Sequence, residues 1–254
     1  MTLPELTTQF LEYSEIERNR SQTTVRNYAF YLGRFRDWAR SRGVTKPEQI
    51  TLDTIREYRL WLNRLGGKTP LKKNTQNYHL IALRSFLKYL AKRDIKTLAP
   101  EKIELAKMPD RTVSFLESDD LERLLATPLQ SKEPDIIKKR DKAILETLFS
   151  TGLRVSELTS LKRDSINLKK EEFTVRGKGD KYRIVFLSDR ARQAIKAYLE
   201  ARKDTFPPLF IRHDRAFNPR RTTKDYDYLY LTPRSVQRII KKYTILAGIV
   251  GKKI

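Results

Sequence analysis

The 254-residue chain has no cysteine and only two histidines, His79 and His213, far apart in the sequence. Disulfides, a thiol nucleophile and cysteine-ligated zinc are therefore excluded, and a histidine-rich metal site is not expected. No apolar run is long enough to span a bilayer. The opening MTLPELTTQFLEYSE has neither the basic start nor the apolar block of a secretory signal. These absences point to a soluble, cytoplasmic protein with no membrane partner. Acid is also scarce: 31 Asp and Glu face 53 Lys and Arg, a formal charge of +22.

That excess is not a basic tail on a neutral body. Up to Asp110 there are 21 basic and 12 acidic residues, and after it 32 and 19, so both halves are positive. A polyanion that touches the whole molecule, nucleic acid first, accounts for this. A generic basic surface, as on ribosome-associated proteins, is the alternative. Hydrophobic content of 39% is that of a folded protein, and the length suits one large or two smaller domains.

Residues 1–97 read as four amphipathic helices with no strand signal. Leu3, Leu6, Phe10 and Tyr13 recur at helical spacing. Ser21 caps a helix with Val25, Tyr28, Leu32, Phe35 and Ala39 inward, stopped at Gly43. Thr51 caps a third, with Leu52, Ile55, Tyr58, Leu62 and Leu65 inward, closed by Gly66-Gly67. The fourth, NTQNYHLIALRSFLKYLAKRD, directs Tyr78, Ile81, Ala82, Phe86, Tyr89 and Leu90 to the core, with His79 an ordinary helix residue. Residues 98–113, broken by Pro100 and Pro109, are expected to link two domains. The second, residues 114–254, opens with a helix capped by Ser118, whose first-turn acids Asp119, Asp120 and Glu122 suit the helix terminus better than a metal. A helix ending at Gly152 follows. EEFTV and YRIVFLS then alternate as the strands of a hairpin around RGKGDK, with Phe173 and Val175 in one and Tyr182, Ile184 and Phe186 in the other. Thr232 and Pro233 open a last helix. The fold class expected is mainly α with a small β-hairpin.

Two stretches carry chemistry. In LFSTGLRVSEL a permanent charge, Arg154, sits inside an apolar run directly after a helix-ending glycine. There it can leave the core and offer its planar fork to a phosphate, or form a salt bridge with Glu157 or Asp164. In RGKGDK, Lys178 lies between glycines at a hairpin tip enriched by Arg176, Lys181 and Arg183. It either donates a proton to a leaving oxygen or belongs to a turn that is merely basic. A Walker-type phosphate loop is excluded, since no Ser or Thr follows the lysine and a strand comes next.

TGLRVSEL followed by RGKGDKYRIVFLS, within a chain whose basic helical first half ends in ALRSFLKYL, resembles the tyrosine recombinase family, the Xer type above all. The resemblance spans essentially the whole chain. It implies a helical core-binding domain and a mixed α+β catalytic domain that close on double-stranded DNA, with recombination or integration as the outcome. It further implies a tyrosine attack that leaves a 3′-phosphotyrosyl bond, no metal or other cofactor, and a homo- or hetero-tetramer on DNA when complete. Nucleoid association in the cytoplasm follows. Arg154 corresponds to the first catalytic arginine and Lys178 to the general acid for the 5′-oxygen. Candidate DNA contacts are Thr23, Arg26, Lys72, Lys73, Thr75, Gln76, Lys181 and Arg183, with Arg234, Gln237 and Arg238 in the major groove. Arg212, Arg215, Arg220 and Arg221 form a steering patch.

The family's His-x-x-Arg motif, further His or Trp, and nucleophilic tyrosine find no match before the chain stops at AGIVGKKI. Tyr226, Tyr228, Tyr230 and Tyr243 all precede that point, and none is assigned as nucleophile. The sequence as given is therefore expected to bind DNA without cleaving it and to expose apolar surface around Leu148, Leu153 and Ile249. A non-catalytic DNA-binding descendant of a recombinase and a basic RNA-associated protein are the alternatives. A metal-dependent nuclease built on Asp225 and Asp227 lacks a third ligand.

Overall fold

The computed structural model describes residues 1–67, 69–109, 115–177, 181–213 and 229–249. The chain divides into two compact units, Met1–Arg111 and Thr112–Ile254. The described residues are mainly helical with one small sheet.

The first unit holds α1 (Leu3–Ile16), α2 (Gln22–Ser41), α3 (Leu52–Arg64) and α4 (Lys73–Ala91). Its helix starts follow local chemistry. The hydroxyls of Ser21 and Thr51 accept the backbone N–H of Thr24 and Thr54, at 3.3 and 3.2 Å, which satisfies orphan donors of the first turn. Apolar residues at three- and four-residue spacing then close a core in which Leu6, Tyr58, Leu62, Leu83, Leu87 and Leu90 are fully buried. Each such side chain contributes on the order of 1.5–3 kcal/mol. Of the expected core residues, Leu52, Tyr78 and Ile81 are exposed and Leu65 is half-buried outside that cluster. Leu52 is the first residue of α3. On α4 the inward face rotates to Asn77, Leu80, Leu83 and Leu87, and Trp38 joins it from α2. The segment expected to link the domains packs on this unit: Ile103 is buried, and Asn77 exchanges two hydrogen bonds with the backbone of Ala106, at 2.9 and 3.0 Å.

Helices α2 and α4 run antiparallel. Tyr28 meets Ser85, and two turns on Arg34 meets His79. His79 is buried between the rings of Phe30 and Tyr31, and burial lowers its pKa. Its Nδ1 lies 2.9 Å from the Thr75 carbonyl and its Nε2 3.3 Å from the Arg34 guanidinium. Because a carbonyl and a guanidinium supply one acceptor and one donor, the pair selects the neutral ring protonated at Nδ1.

The second unit comprises α5 (Ser118–Gln130), α6 (Asp135–Thr151), α7 (Val155–Thr159), β1 (Glu172–Arg176), β2 (Tyr182–Phe186), α8 (Asp189–Ala201) and α9 (Pro233–Leu246). Ser118 is the first residue of α5, not its cap; Glu117 holds the cap position. The strands pair antiparallel with Phe173 opposite Val185 and Val175 opposite Arg183. Directly opposed residues share a face, so this register turns Arg183 and Val185 inward and leaves Tyr182, Ile184 and Phe186 exposed. The alternation noted at those three residues therefore belongs to the outer face of the hairpin. The exposure expected at Leu153 and Ile249 is corrected, since both are buried; Leu148 is half-buried. Their cover comes from α7 and α9: Leu153 joins Leu158 and Val236, and Ile249 joins Tyr243. Among the described residues of this unit the large exposed apolar side chains are Phe115, Leu129, Phe149, those on the outer face of β2, and Ile245 and Leu246.

A buried polar tie joins α6 to α9. Arg140 bonds Asp141 and the Ile211 carbonyl, and the Tyr243 hydroxyl donates to Asp141 Oδ2 at 3.0 Å. Burial pushes the Asp141 carboxyl and the Tyr243 hydroxyl above their ordinary ranges.

Helix α6 ends on Gly152, whose φ of +59° and ψ of 26° let its N–H reach the Leu148 carbonyl at 3.0 Å. A Cβ there would meet nothing within 4 Å, so a side chain would be strained by backbone conformation alone. Gly152→Ala is expected to cost about 1–2 kcal/mol in urea unfolding. An unchanged midpoint would show that the α6–α7 junction does not depend on the left-handed turn.

Candidate phosphate-binding site

Arg154 is placed by the turn just described. After Gly152 and buried Leu153, it takes an extended conformation (φ −65°, ψ 147°) at the cap position of α7. Its backbone N–H donates to Glu157 Oε2 at 2.8 Å and its Nη1 to Oε1 at 3.0 Å. Of the two outcomes weighed for this residue, the structure shows the salt bridge, and to Glu157. The Arg154 side chain is still 62% exposed.

Glu157 also receives the hairpin. Arg183, turned inward by the strand register, donates Nη1 to Oε1 at 2.9 Å and Nη2 to Oε2 at 2.8 Å. One carboxylate, 8% exposed, thus accepts from two guanidiniums and a backbone amide. The Arg183 fork, opposed by burial and reinforced by the Arg154 contacts, holds its pKa down at about 2. Gly177 closes the hairpin tip with its N–H on the Lys181 carbonyl at 2.8 Å. A Cβ on Gly177 would stand 3.3 Å from Arg183 Nη1 and 3.5 Å from Glu157 Oε1, so glycine admits the close approach. At its other end the hairpin is held by Ser150, whose hydroxyl donates to the Phe186 carbonyl at 3.1 Å and accepts from Ser188 N–H at 2.7 Å.

The cluster has one carboxylate for two permanent cations. Arg154 spends one side-chain donor on Glu157, and the rest of its five-donor fork faces solvent. A guanidinium presented this way can bind two oxygens of a phosphate and stabilise charge that develops on them.

Of the other candidates, Lys178 lies outside the described residues, as do Arg215, Arg220, Arg221, Tyr226, Tyr228, Asp225 and Asp227. Lys181 is exposed at the foot of the hairpin tip. Arg183, expected on DNA, has its fork on Glu157 and so anchors the hairpin. Arg234, Gln237 and Arg238 are exposed on the opening turns of α9, where Thr232 Oγ1 caps Ser235 N–H at 3.1 Å. Arg238 also lines a cavity of about 450 Å³ with Arg140, Arg212 and His213. Tyr243 is buried on Asp141, and half-buried Tyr230 bridges to Ile211.

In the first unit the structure separates what the sequence listed side by side. Thr23 and Arg26 are exposed in the first turns of α2, beside the C-terminal end of α4. Lys72, Lys73, Thr75 and Gln76 open α4 at the opposite end. Lys72 and Lys73 are exposed there, while Gln76 Nε2 is bonded to the Leu71 carbonyl and Asn63, at 2.8 and 3.1 Å. The basic residues that do gather, around one cavity near the start of α2, are Arg18, Arg20, Lys88 and Lys92, which sequence reasoning missed. The signal was a basic residue recurring at Lys88 and Lys92, one turn apart.

The sequence and the fold match one protein class. Residues 114–254 match the phage integrase family, and residues 7–94 match the phage integrase N-terminal SAM-like domain. The chain belongs to the phage integrase family. Among its relatives are the tyrosine recombinase XerC of Thermodesulfovibrio yellowstonii, 31% identical over 96% of this chain and 77% of the relative, and the tyrosine recombinase XerD of Chlorobaculum tepidum, 32% identical over 94% and 75%. Similar solved structures include a lambda integrase dimer bound to a COC′ core site (TM-score 0.70, 16% identity, 99% of this chain and 84% of that one). XerH bound to a palindromic difH substrate is another (TM-score 0.68, 20% identity, 97% and 69%). At these identities the likeness is one of fold. No helix among the described residues is long and apolar enough to cross a membrane.

The shift at Glu157 has a definite sign. Its folded pKa lies below the ordinary carboxylate value of 4.5, so its contribution to stability is fully present above that pH and fades as pH falls toward about 2. Glu157→Gln is expected to cost about 1–2 kcal/mol at pH 7, a modest figure because solvent reaches both arginines. The gap should close between pH 5 and pH 2 in urea titrations. A gap that persists at pH 2 would mean the carboxylate charge is not what holds the cluster.

Proposed function

We propose that this chain holds double-stranded DNA for site-specific recombination, with Arg154 as the arginine that binds the scissile phosphate. The observation that carries the reading is an exposed guanidinium fixed by a buried carboxylate that also anchors a basic hairpin. In the reaction a tyrosine oxygen attacks phosphorus, the bond to the 5′-oxygen breaks, and that oxygen takes a proton as it leaves. Arg154 neutralises charge on the non-bridging oxygens. Lys178, two residues from Arg176 and next to Gly177, is the proton donor in this scheme. Among tyrosines in the sequence none is assigned as the nucleophile, and the scheme uses no metal or nucleotide cofactor.

The surrounding cations hold the duplex. Thr23 and Arg26 at one end of the α2–α4 pair, and Lys72, Lys73 and Thr75 at the other, are roughly 18–27 Å apart along the helices at about 1.5 Å per residue. That span exceeds the width of a major groove, about 12 Å, so the two ends meet different phosphates along the duplex. Gln76 joins them if its loop contacts release it. Arg234, Gln237 and Arg238 read base edges from the exposed turns of α9, and Lys181 meets the backbone. Assembly as a tetramer on DNA and residence in the cytoplasm, at the nucleoid, follow from the same reading.

Two measurements test it. In a competition at fixed salt, duplex DNA is expected to displace RNA of equal length, with log K falling linearly in log salt. In a cleavage-competent form of the protein, Arg154→Ala should reduce the covalent protein–DNA adduct by about 10²–10³-fold, the loss typical of removing one oxyanion donor. Duplex affinity should fall far less. Preference for RNA, or binding lost in step with the adduct, contradicts the assignment.

A further inference from the structure

Beyond the Glu157 cluster, positive charge converges where α1 ends. The helix stops at Ile16, and the chain turns back through Asn19, whose φ is +45°. The N–H groups of Arg18 and Arg20 bond the Tyr13 and Ser14 carbonyls, at 3.0 Å each, and fasten the turn onto α1. Together with the start of α2 and the last turns of α4, this turn encloses a cavity of about 210 Å³.

Arg18, Arg20, Lys88 and Lys92 line that cavity, and no acidic residue does. None of the four forms an ion pair with an acid among the described residues. Of the acids close by, Glu15 accepts from Gln22, Glu17 faces Arg93, and Glu12 acts on Tyr89 from α1 without lining the cavity. The walls also carry hydroxyls. Tyr28 and Ser85 meet at 3.4 Å, and Tyr89 has a buried hydroxyl with no hydrogen-bond partner among the described residues. Four like charges around one cavity repel one another, and an oxyanion held among them relieves that repulsion through charge-assisted hydrogen bonds that diffuse screening salt does not make. The volume is several times a water's share of about 30 Å³ and below the usual range for a drug-sized ligand of about 300 Å³. It suits a phosphate group and a few waters.

We propose that this pocket is a phosphate-binding subsite whose occupant is a backbone phosphodiester of duplex DNA, clamped between the Arg18–Arg20 turn and the Lys88–Lys92 end of α4. The choice of occupant rests on the DNA-binding reading above. It is supported by position, because Arg20 leads directly into the exposed first turns of α2 with Thr23 and Arg26. The pocket would fix where the first unit sits along the duplex without reading a base.

The test compares Arg20→Gln/Lys88→Gln with a charge-matched pair distant on the same unit, Lys46→Gln/Arg56→Gln, in fluorescence anisotropy against a labelled duplex. With unchanged melting temperatures, the pocket pair is expected to lose about tenfold in affinity at low salt and about 2 units of salt slope. The distant pair should match the parent chain. Equal losses in both pairs, or in neither, would overturn the proposal, since the charge would then act diffusely or not at all. Should the parent show no salt-dependent duplex binding, the functional reading fails by itself, and the pocket is judged by inorganic phosphate against chloride at equal ionic strength. A melting temperature raised by phosphate in the parent and not in Arg20→Gln/Lys88→Gln keeps the subsite with free phosphate as its occupant. No such rise removes the subsite.

Discussion

The Glu157 carboxylate is the contact on which the second unit's chemistry depends. It is a buried anion that five residues of helix could not stabilise alone. What stabilises it is charge brought from two directions: Arg154 from its own turn, and Arg183 from a hairpin 26 residues later. In return it fixes a permanent cation at the protein surface in a set orientation, and through Arg183 it holds strand β2 to the turn that carries Arg154. A guanidinium on a freely rotating side chain would attract a phosphate equally well at long range. It would not be waiting in the right plane when charge develops on the oxygens, and pre-organisation is what separates a catalytic contact from a steering one.

The first unit works by distributed charge. Its helices bury a dense aromatic and aliphatic core and leave cations at both ends of the antiparallel α2–α4 pair. Neutral, buried His79 and the Arg34 contact set the register between those helices, and hence the distance between the two basic ends. In the proposed function the two units address a polyanion in different ways, one through a single oriented arginine and the other through spaced basic residues whose contribution depends strongly on salt. The net charge of +22, shared between both halves of the chain, fits this division of labour.

Much of the fold was legible because it is encoded locally. Ser21, Thr51 and the Thr232-Pro233 pair mark helix starts through hydrogen bonds within a single turn, and Gly152 marks a stop through its own backbone conformation. Arg154 stood out for the same reason, as a charge misplaced in an apolar run. What stayed hidden depends on partners distant in sequence. Tyr182, Ile184 and Phe186 alternate as a buried face would, yet the pairing of Val175 with Arg183 turns the other face inward. That inversion is affordable only because Glu157 is there to receive the arginine. Tyr78 and Ile81 likewise fit a helical stripe whose rotation is decided by α2 and α3. Arg18, Arg20, Lys88 and Lys92 come together only once α2 and α4 are known to run antiparallel.

The most direct test of the central claim is amide hydrogen exchange at two backbone sites in Glu157→Gln. The Arg154 N–H is bonded to the carboxylate itself, whereas the Gly177 N–H bonds the Lys181 carbonyl, with Glu157 and the Arg183 fork packed beside that glycine. If one carboxylate organises both the arginine and the hairpin, both amides should exchange faster together in the variant. Faster exchange at Arg154 with Gly177 unchanged would contradict the account, because the hairpin would then be held without Glu157.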